Sequence, residues 1–68
     1  MDKTTIIGRR IESDGRSYDV GDIKAIGMFR QGITMEFVDG TFKTFQGRPE
    51  DFYSIADMCP WADKYPMV

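Results

Sequence analysis

Residues 26–42 decide the fold of this chain, and they read Ile-Gly-Met-Phe-Arg-Gln-Gly-Ile-Thr-Met-Glu-Phe-Val-Asp-Gly-Thr-Phe. Two turn signals, Gln31-Gly32 and Asp39-Gly40, separate three short runs rich in apolar and β-branched residues. Such runs joined by tight turns are typical of antiparallel strands in a β-meander. The stretch therefore predicts three consecutive strands that share one apolar face, made of Ile26, Met28, Met35, Phe37 and Phe42.

The two turns also predict how the strands pair. The first turn places Met28 opposite Met35, and the second places Phe37 opposite Phe42. Because a slip of one residue turns every side chain of a strand to the other face, this register decides which side chains are buried.

A further hairpin is predicted before this stretch. The run from Thr4 to Glu12 reads as one strand, and Asp14-Gly15 follows it as a tight-turn signal. With Asp14 and Gly15 at the tip, Ile11 faces Tyr18, and the neighbouring pair, Arg10 and Asp19, is oppositely charged. The pairing thus gives one apolar contact beside one ionic contact.

After Gly47 the pattern changes from strand to helix. Pro49 suits the first helical position, and two carboxylates follow it in the first turn, where the helix dipole favours them. An apolar stripe with helical spacing comes next and ends at Pro60; it consists of Phe52, Ile55, Ala56 and Cys59. The sequence predicts an α+β fold, in which an antiparallel meander of four or five short strands, curved or partly barrel-like, packs against one C-terminal helix.

Composition limits what the chain can do. Its 68 residues, with a formal charge of −2, are expected to form a single domain over residues 1–68, without avid nonspecific DNA binding. There is no histidine, and Cys59 is the only cysteine, so an internal disulfide and the common zinc ligand sets are excluded. No apolar run is long enough for a membrane span, and no signal peptide is evident, so a cytoplasmic protein without membrane association is expected.

Catalysis is not expected. Without histidine there is no Ser-His or Cys-His nucleophile pair, and Cys59 lies in the apolar stripe, where burial disfavours the thiolate. The pair Glu50-Asp51 is better explained by the helix dipole than by a metal. We therefore expect no catalytic residues, no metal and no cofactor.

Two sets of side chains are candidates for binding. Aromatic residues outside the predicted core suit a protein interface, and they are Phe45, Tyr53, Trp61 and Tyr65. Basic residues in the first half of the chain would suit nucleic acid, and they are Arg9, Arg16, Lys24 and Arg30.

Two segments resemble the KTSC domain, a small module named for its occurrence at the C-terminus of lysyl-tRNA synthetases. Ile23-Lys-Ala-Ile26-Gly27 is similar to the I-x-x-I-G strand start of that family. Between Met35 and Ile55, an aromatic, a turn glycine, a second aromatic, a proline and a tyrosine also match, at Phe37, Gly40, Phe45, Pro49 and Tyr53. The resemblance covers about half the chain, and Met28-Phe29 departs from it. It implies a β-meander with a helix and an RNA-associated accessory role, and it carries over no functional residues.

The function expected from the sequence is a small non-catalytic binding protein that occupies a surface of a partner protein. Compact, mildly acidic proteins of this size are often phage or mobile-element inhibitors, including those of the anti-CRISPR type, and this is the class that we expect. The alternative is a KTSC-like RNA- or tRNA-associated accessory domain. Homodimerisation through an exposed edge strand is compatible with both, because a small sheet leaves unpaired backbone groups.

Overall fold

The hairpin at Asp14-Gly15 forms as the sequence predicts. The computed structural model describes residues 4–66. Asp14 and Gly15 have φ of 53° and 79°, the left-handed conformation that a two-residue hairpin turn requires. Strands β2 (Arg10–Ser13) and β3 (Arg16–Asp19) flank this turn and pair antiparallel, with Ile11 opposite Tyr18 and Arg10 opposite Asp19. The predicted pairing is confirmed.

The run from Thr4 to Glu12 is two strands, so the prediction of one strand is wrong. Gly8 takes a φ of 59° and, with Arg9, turns the chain. Strand β1 (Thr4–Ile7) therefore folds back on β2, and the first sheet has the order β1-β2-β3. Its inner face places Ile6 and Ile11 toward the core.

A mixed sheet forms the other half of the fold. A short 3-10 helix, Val20–Asp22, leads into it from β3. Its strands are β4 (Ile23–Phe29), β5 (Gly32–Phe37), β6 (Phe42–Phe45) and β7 (Asp63–Tyr65), in the order β6-β5-β4-β7. Helix α1 (Pro49–Met58) lies between β6 and β7 along the chain.

The α+β class is confirmed, whereas the predicted number and grouping of the strands and their purely antiparallel pairing are wrong. Residues 4–66 form seven strands in two sheets, not four or five in one meander, and neither sheet closes into a barrel. The helix is followed by β7, which pairs parallel with β4. A parallel pair requires a long crossover, so no local turn signal announces it. In the described residues no helix has the length and apolar character needed to cross a membrane.

The hairpin between β4 and β5 differs from the predicted register by two residues. Met28 lies opposite Ile33, not Met35, because Arg30 and Gln31 form the turn. A shift of two preserves the face of every side chain. Met35 is accordingly fully buried, and Met28 packs against the core as a partly buried neighbour.

The hairpin between β5 and β6 differs by one residue, and this moves Phe42 out of the core. The backbone N–H of Phe37 donates to the carbonyl of Thr41 at 2.9 Å, so the loop holds three residues instead of two. Glu36 then lies opposite Phe42, and the two side chains share the outer face of the sheet. Phe37 is buried, whereas Phe42 is 65% exposed.

Helix α1 follows the prediction closely. It begins at Pro49, and the backbone N–H of Arg48 donates to the Asp51 carboxylate at 3.0 Å, which satisfies a donor at the helix start. The whole predicted stripe is buried. Together with apolar residues of both sheets and of the connecting segments, it forms a core that consists of Ile11, Val20, Ile23, Ile26, Ile33, Met35, Phe37, Phe45, Phe52, Ile55, Ala56, Cys59 and Ala62.

Candidate protein-binding surface

The outer face of the mixed sheet carries an exposed group of aromatic rings. Along β4 the side chains alternate, so Ile26 and Met28 point to the core while Ala25 and Phe29 point to the outer face. Ala25 is buried but lies outside the core cluster, as expected for the outer face. Three aromatic side chains from three different strands are exposed there: Phe29 at 46%, Phe42 at 65% and Tyr65 at 54%.

Gly27 makes room for the Phe29 ring and neighbours Tyr65. Tyr65 lies opposite Gly27 in the parallel pairing of β7 with β4. A Cβ placed on Gly27 would come within 2.6 Å of Phe29 ring carbons and 3.4 Å of the Tyr65 Cβ. The Phe29 ring therefore folds back over the glycine, and only a residue without a side chain permits this packing.

The three rings surround a pocket of about 120 Å³. We call it the aromatic pocket, and it is lined by Ala25, Ile26, Gly27, Phe29, Thr34, Glu36, Phe42 and Tyr65. Small-molecule sites are larger, about 300–1,000 Å³. The pocket therefore suits the end of one side chain.

Among residues 4–66, Glu36 is the only charged side chain that lines the pocket. It is half-buried on β5, and no cationic group in the described part of the chain lies within ion-pair distance of it. The hydroxyl of the other polar neighbour, Thr34, is bonded to that of Thr44 at 2.9 Å. The pocket thus combines aromatic walls with one carboxylate that has no counter-ion within residues 4–66.

A second depression adjoins the aromatic pocket at Phe42. It has a volume of about 500 Å³ and opens between β3 and the loop that joins β5 to β6. We call it the acidic cleft, because its charged residues are three aspartates and one arginine, namely Asp19, Asp22, Asp39 and Arg16. Tyr18 forms part of its wall and stacks on Phe37, with ring centroids 5.1 Å apart and an interplanar angle of 11°.

Asp39 is held in its ionised form by the loop itself. Its carboxylate accepts a bond from the Thr41 hydroxyl at 2.6 Å and from the Thr41 backbone N–H at 3.0 Å. These hydrogen bonds, led by that of the hydroxyl, hold the pKa of Asp39 below its ordinary value. The acidic cleft therefore keeps this negative charge across the neutral and mildly acidic pH range.

The structure does not bring the four predicted aromatic residues together. Phe45 is 1% exposed and belongs to the core, because its β6 position faces inward, so it is unavailable to a partner and its assignment to the binding surface is corrected. Tyr53 is exposed but lies on α1, which packs on the core side of the mixed sheet. Of the four, Tyr65 alone lines the aromatic pocket.

Trp61 has an internal role. Its indole N–H donates to the carbonyl of Ile23 at 2.9 Å, which ties the segment after α1 to the start of β4. The guanidinium of Arg9 lies 5.9 Å from the ring centroid, within cation–π range. Half of the side chain is still exposed, so Trp61 can anchor β7 and also present a ring face to solvent.

The four predicted nucleic-acid residues do not form one patch. All are exposed, but Arg9 lies in the turn between β1 and β2, whereas Arg16 lies at the other end of the first sheet. Lys24 lies near the start of β4 and Arg30 directly after its end, so these two residues are also separated by the length of a strand. A strand of this length separates its ends by about 20 Å at roughly 3.3 Å per residue, too far for one shared phosphate site.

Cys59 is a buried core residue. Its thiol donates to the Ile55 carbonyl at 3.1 Å, and burial raises the pKa of the thiol, an effect that Lys64 and Arg9 only partly oppose. Across residues 4–66, no three acidic, cysteine or histidine side chains converge in a way that could hold a metal ion.

Comparison with protein families, curated proteins and solved structures finds no match to this chain. The resemblance to the KTSC domain therefore stays a prediction.

Proposed function

We propose that this chain is a non-catalytic binding protein that acts by occupying a surface of a partner protein, and that the aromatic pocket is the centre of its interface. The observation that carries the proposal is the set of three exposed rings, Phe29, Phe42 and Tyr65, on one sheet face around one pocket. Aromatic side chains near the centre of an interface supply much of its binding energy.

The surface also has the layout of an interface. Apolar rings lie at its centre, and the charged residues of the acidic cleft lie to one side of Phe42. Interfaces commonly have such an apolar centre with a polar rim. A chain of 68 residues with this surface suits a small inhibitor that blocks another protein. The class we propose is that of phage or mobile-element inhibitors of the anti-CRISPR type, acting in the cytoplasm.

The RNA-associated alternative has weaker support, because its four basic residues are distributed over opposite ends of both sheets. It predicts binding that weakens steeply with added salt. The experiment below tests it together with the proposal.

The test is capture of partners from bacterial lysate by the tagged protein, with and without nuclease, compared between wild type and two variants. Phe42→Ala removes an exposed ring of the aromatic pocket, and Ile7→Ala removes a side chain of similar exposure, 58%, from β1. We expect a stoichiometric protein that resists nuclease, is retained by Ile7→Ala and is lost with Phe42→Ala.

Two outcomes would refute the proposal. Equal capture by Phe42→Ala and wild type would exclude this face as the interface. Loss of the captured partner on nuclease treatment would instead support the RNA-associated alternative. Light scattering on the purified protein identifies self-association, which would make a second copy the occupant of the surface.

A further inference from the structure

We infer that the aromatic pocket receives the guanidinium group of an arginine side chain on the partner protein. This inference rests on the proposed function and names the chemistry that the partner must present. It is carried by the position of Glu36 among three aromatic rings, by the size of the pocket and by the acidic cleft beside it.

Glu36 points to a cationic group. The side chain is half-buried in the lining of the pocket, and the described residues supply no cation to pair with it. Placing a carboxylate among rings weakens its hydration, and an external cation would restore the lost interaction. The ring faces attract the same cation, because each carries a negative electrostatic potential.

The rings favour arginine over lysine. A guanidinium is planar and weakly hydrated, so it stacks on aromatic faces while its N–H groups bond a carboxylate. The Phe29 ring lies over Gly27, and Tyr65 stands opposite Gly27 on the neighbouring strand, so both aromatic side chains border the pocket. A depression of about 120 Å³ suits a planar group of a few atoms better than a whole drug-sized ligand.

The surroundings show the same charge preference. The acidic cleft meets the aromatic pocket at Phe42 and carries three aspartates against Arg16. If a partner segment places an arginine in the pocket, the residues next to that arginine would therefore face the negatively charged acidic cleft. The occupant that fits is a basic segment of a folded partner, with one arginine as the central anchor.

The first measurement is a titration of the isotope-labelled protein with N-acetyl-arginine amide, followed by NMR shifts of the backbone amides. N-acetyl-citrulline amide is the control ligand, because citrulline keeps the planar shape of arginine without its charge. We expect saturable shifts at Gly27, Thr34 and Tyr65 with a Kd in about the millimolar range. Citrulline should bind about fivefold or more weakly.

Variants assign the binding to the pocket. Glu36→Gln removes the charge without changing the shape, and Glu12→Gln makes the same change at an exposed position of β2. We expect Glu36→Gln to weaken arginine binding about fivefold or more, and Glu12→Gln to leave it unchanged. Phe42→Ala should also weaken it, and an unchanged thermal unfolding curve shows that each variant is folded.

Several results would overturn the inference: no saturable shift, equal binding of citrulline and arginine, shifts that map away from the pocket, or no effect of Glu36→Gln. Its failure is distinguishable from that of the proposed function. Loss of partner capture with Phe42→Ala, together with unchanged capture by Glu36→Gln, would keep the interface and reject arginine. Unchanged capture by both variants would reject the interface itself.

Discussion

Replacing Gly32 with alanine tests the pairing of β5 with β6, which brings Phe42 to the outer face. Gly32 has a φ of 135°, a conformation that costs other residues about 1–3 kcal/mol. Its added Cβ would also collide with the carbonyl oxygen of Phe45 and come within 3.0 Å of the carbonyl carbon. Both atoms are backbone, so relief of this contact requires β6 to move away from β5.

Gly40→Ala is the matched control. Gly40 has a φ of 90°, yet a Cβ there would meet nothing within 4 Å, so its replacement costs conformational strain alone. We expect Gly40→Ala to destabilise the fold by about 1–2 kcal/mol, and Gly32→Ala to cost at least about 2 kcal/mol more, as overpacking does in well-packed sites. A domain of this size has a total stability of only about 3–10 kcal/mol.

Urea unfolding followed by far-ultraviolet circular dichroism measures both free energies of unfolding. An additional loss of about 2 kcal/mol would lower the melting temperature by about 8–16 °C relative to Gly40→Ala. Equal destabilisation by the two substitutions, within about 0.5 kcal/mol, would show that the contact with Phe45 is absent. The register of β5 with β6, and with it the outward position of Phe42, would then be wrong.

Three further predictions concern single side chains. Trp61→Phe keeps a ring but removes the bond to the Ile23 carbonyl, so it should lower the free energy of unfolding by about 1 kcal/mol in urea titrations; no loss would mean that water replaces the indole. Hydrogen bonds from Thr41 hold the pKa of Asp39 below its ordinary value of 3.8. The ionised carboxylate therefore stabilises the fold above about pH 4, and this stabilisation is lost as the pH falls through the lower pKa of the folded state. The stability difference between wild type and Asp39→Asn should therefore shrink between about pH 5 and pH 2, and a constant difference would contradict the assignment. Cys59 is buried with a raised pKa, so Ellman's reagent should modify it far more slowly in the native protein than in urea, and equal rates would place the thiol at the surface.

Local signals in the sequence predict the elements that local chemistry determines. The helix follows from Pro49, the two carboxylates of its first turn and a stripe with helical spacing, and each of these acts within a few residues. The β2–β3 pairing follows from Asp14-Gly15, because left-handed conformations at both positions allow a two-residue turn. Neither element depends on distant parts of the chain.

The prediction is wrong where the strand register depends on one additional loop residue or where a strand pairs with a segment distant in sequence. Asp39-Gly40 does mark a turn, but the Phe37–Thr41 hydrogen bond makes the loop one residue longer than a two-residue turn, and this reverses the face of Phe42. The pairing of β7 with β4 joins segments on either side of β5, β6 and α1, so no local pattern contains it.

The length of the loop after β5 and the distant pairing of β7 also explain which residues of the binding surface the sequence predicts and which it misses. Tyr65 was identifiable as an aromatic residue outside the apolar periodicities, and it does line the aromatic pocket. Phe42 was missed because the predicted register placed it in the core. Phe29 becomes a candidate only through its packing over Gly27, where the sequence offers a glycine in a strand as the sole signal of a close approach. Phe45 was misassigned because its β6 position faces inward.

The parallel pairing of β7 has a consequence for how the pocket is assembled over time. Tyr65 meets Gly27 across a separation on the order of 40 residues, and contacts this distant in sequence form after the local hairpins in a folding chain. A strand of three residues at the edge of a sheet is also held by few backbone hydrogen bonds, so its amides should exchange with solvent sooner than those of β4. One wall of the pocket thus belongs to a short strand at the edge of the sheet. A ligand bound in the pocket would then hold β7 against β4, and its binding should slow the hydrogen exchange of the β7 amides.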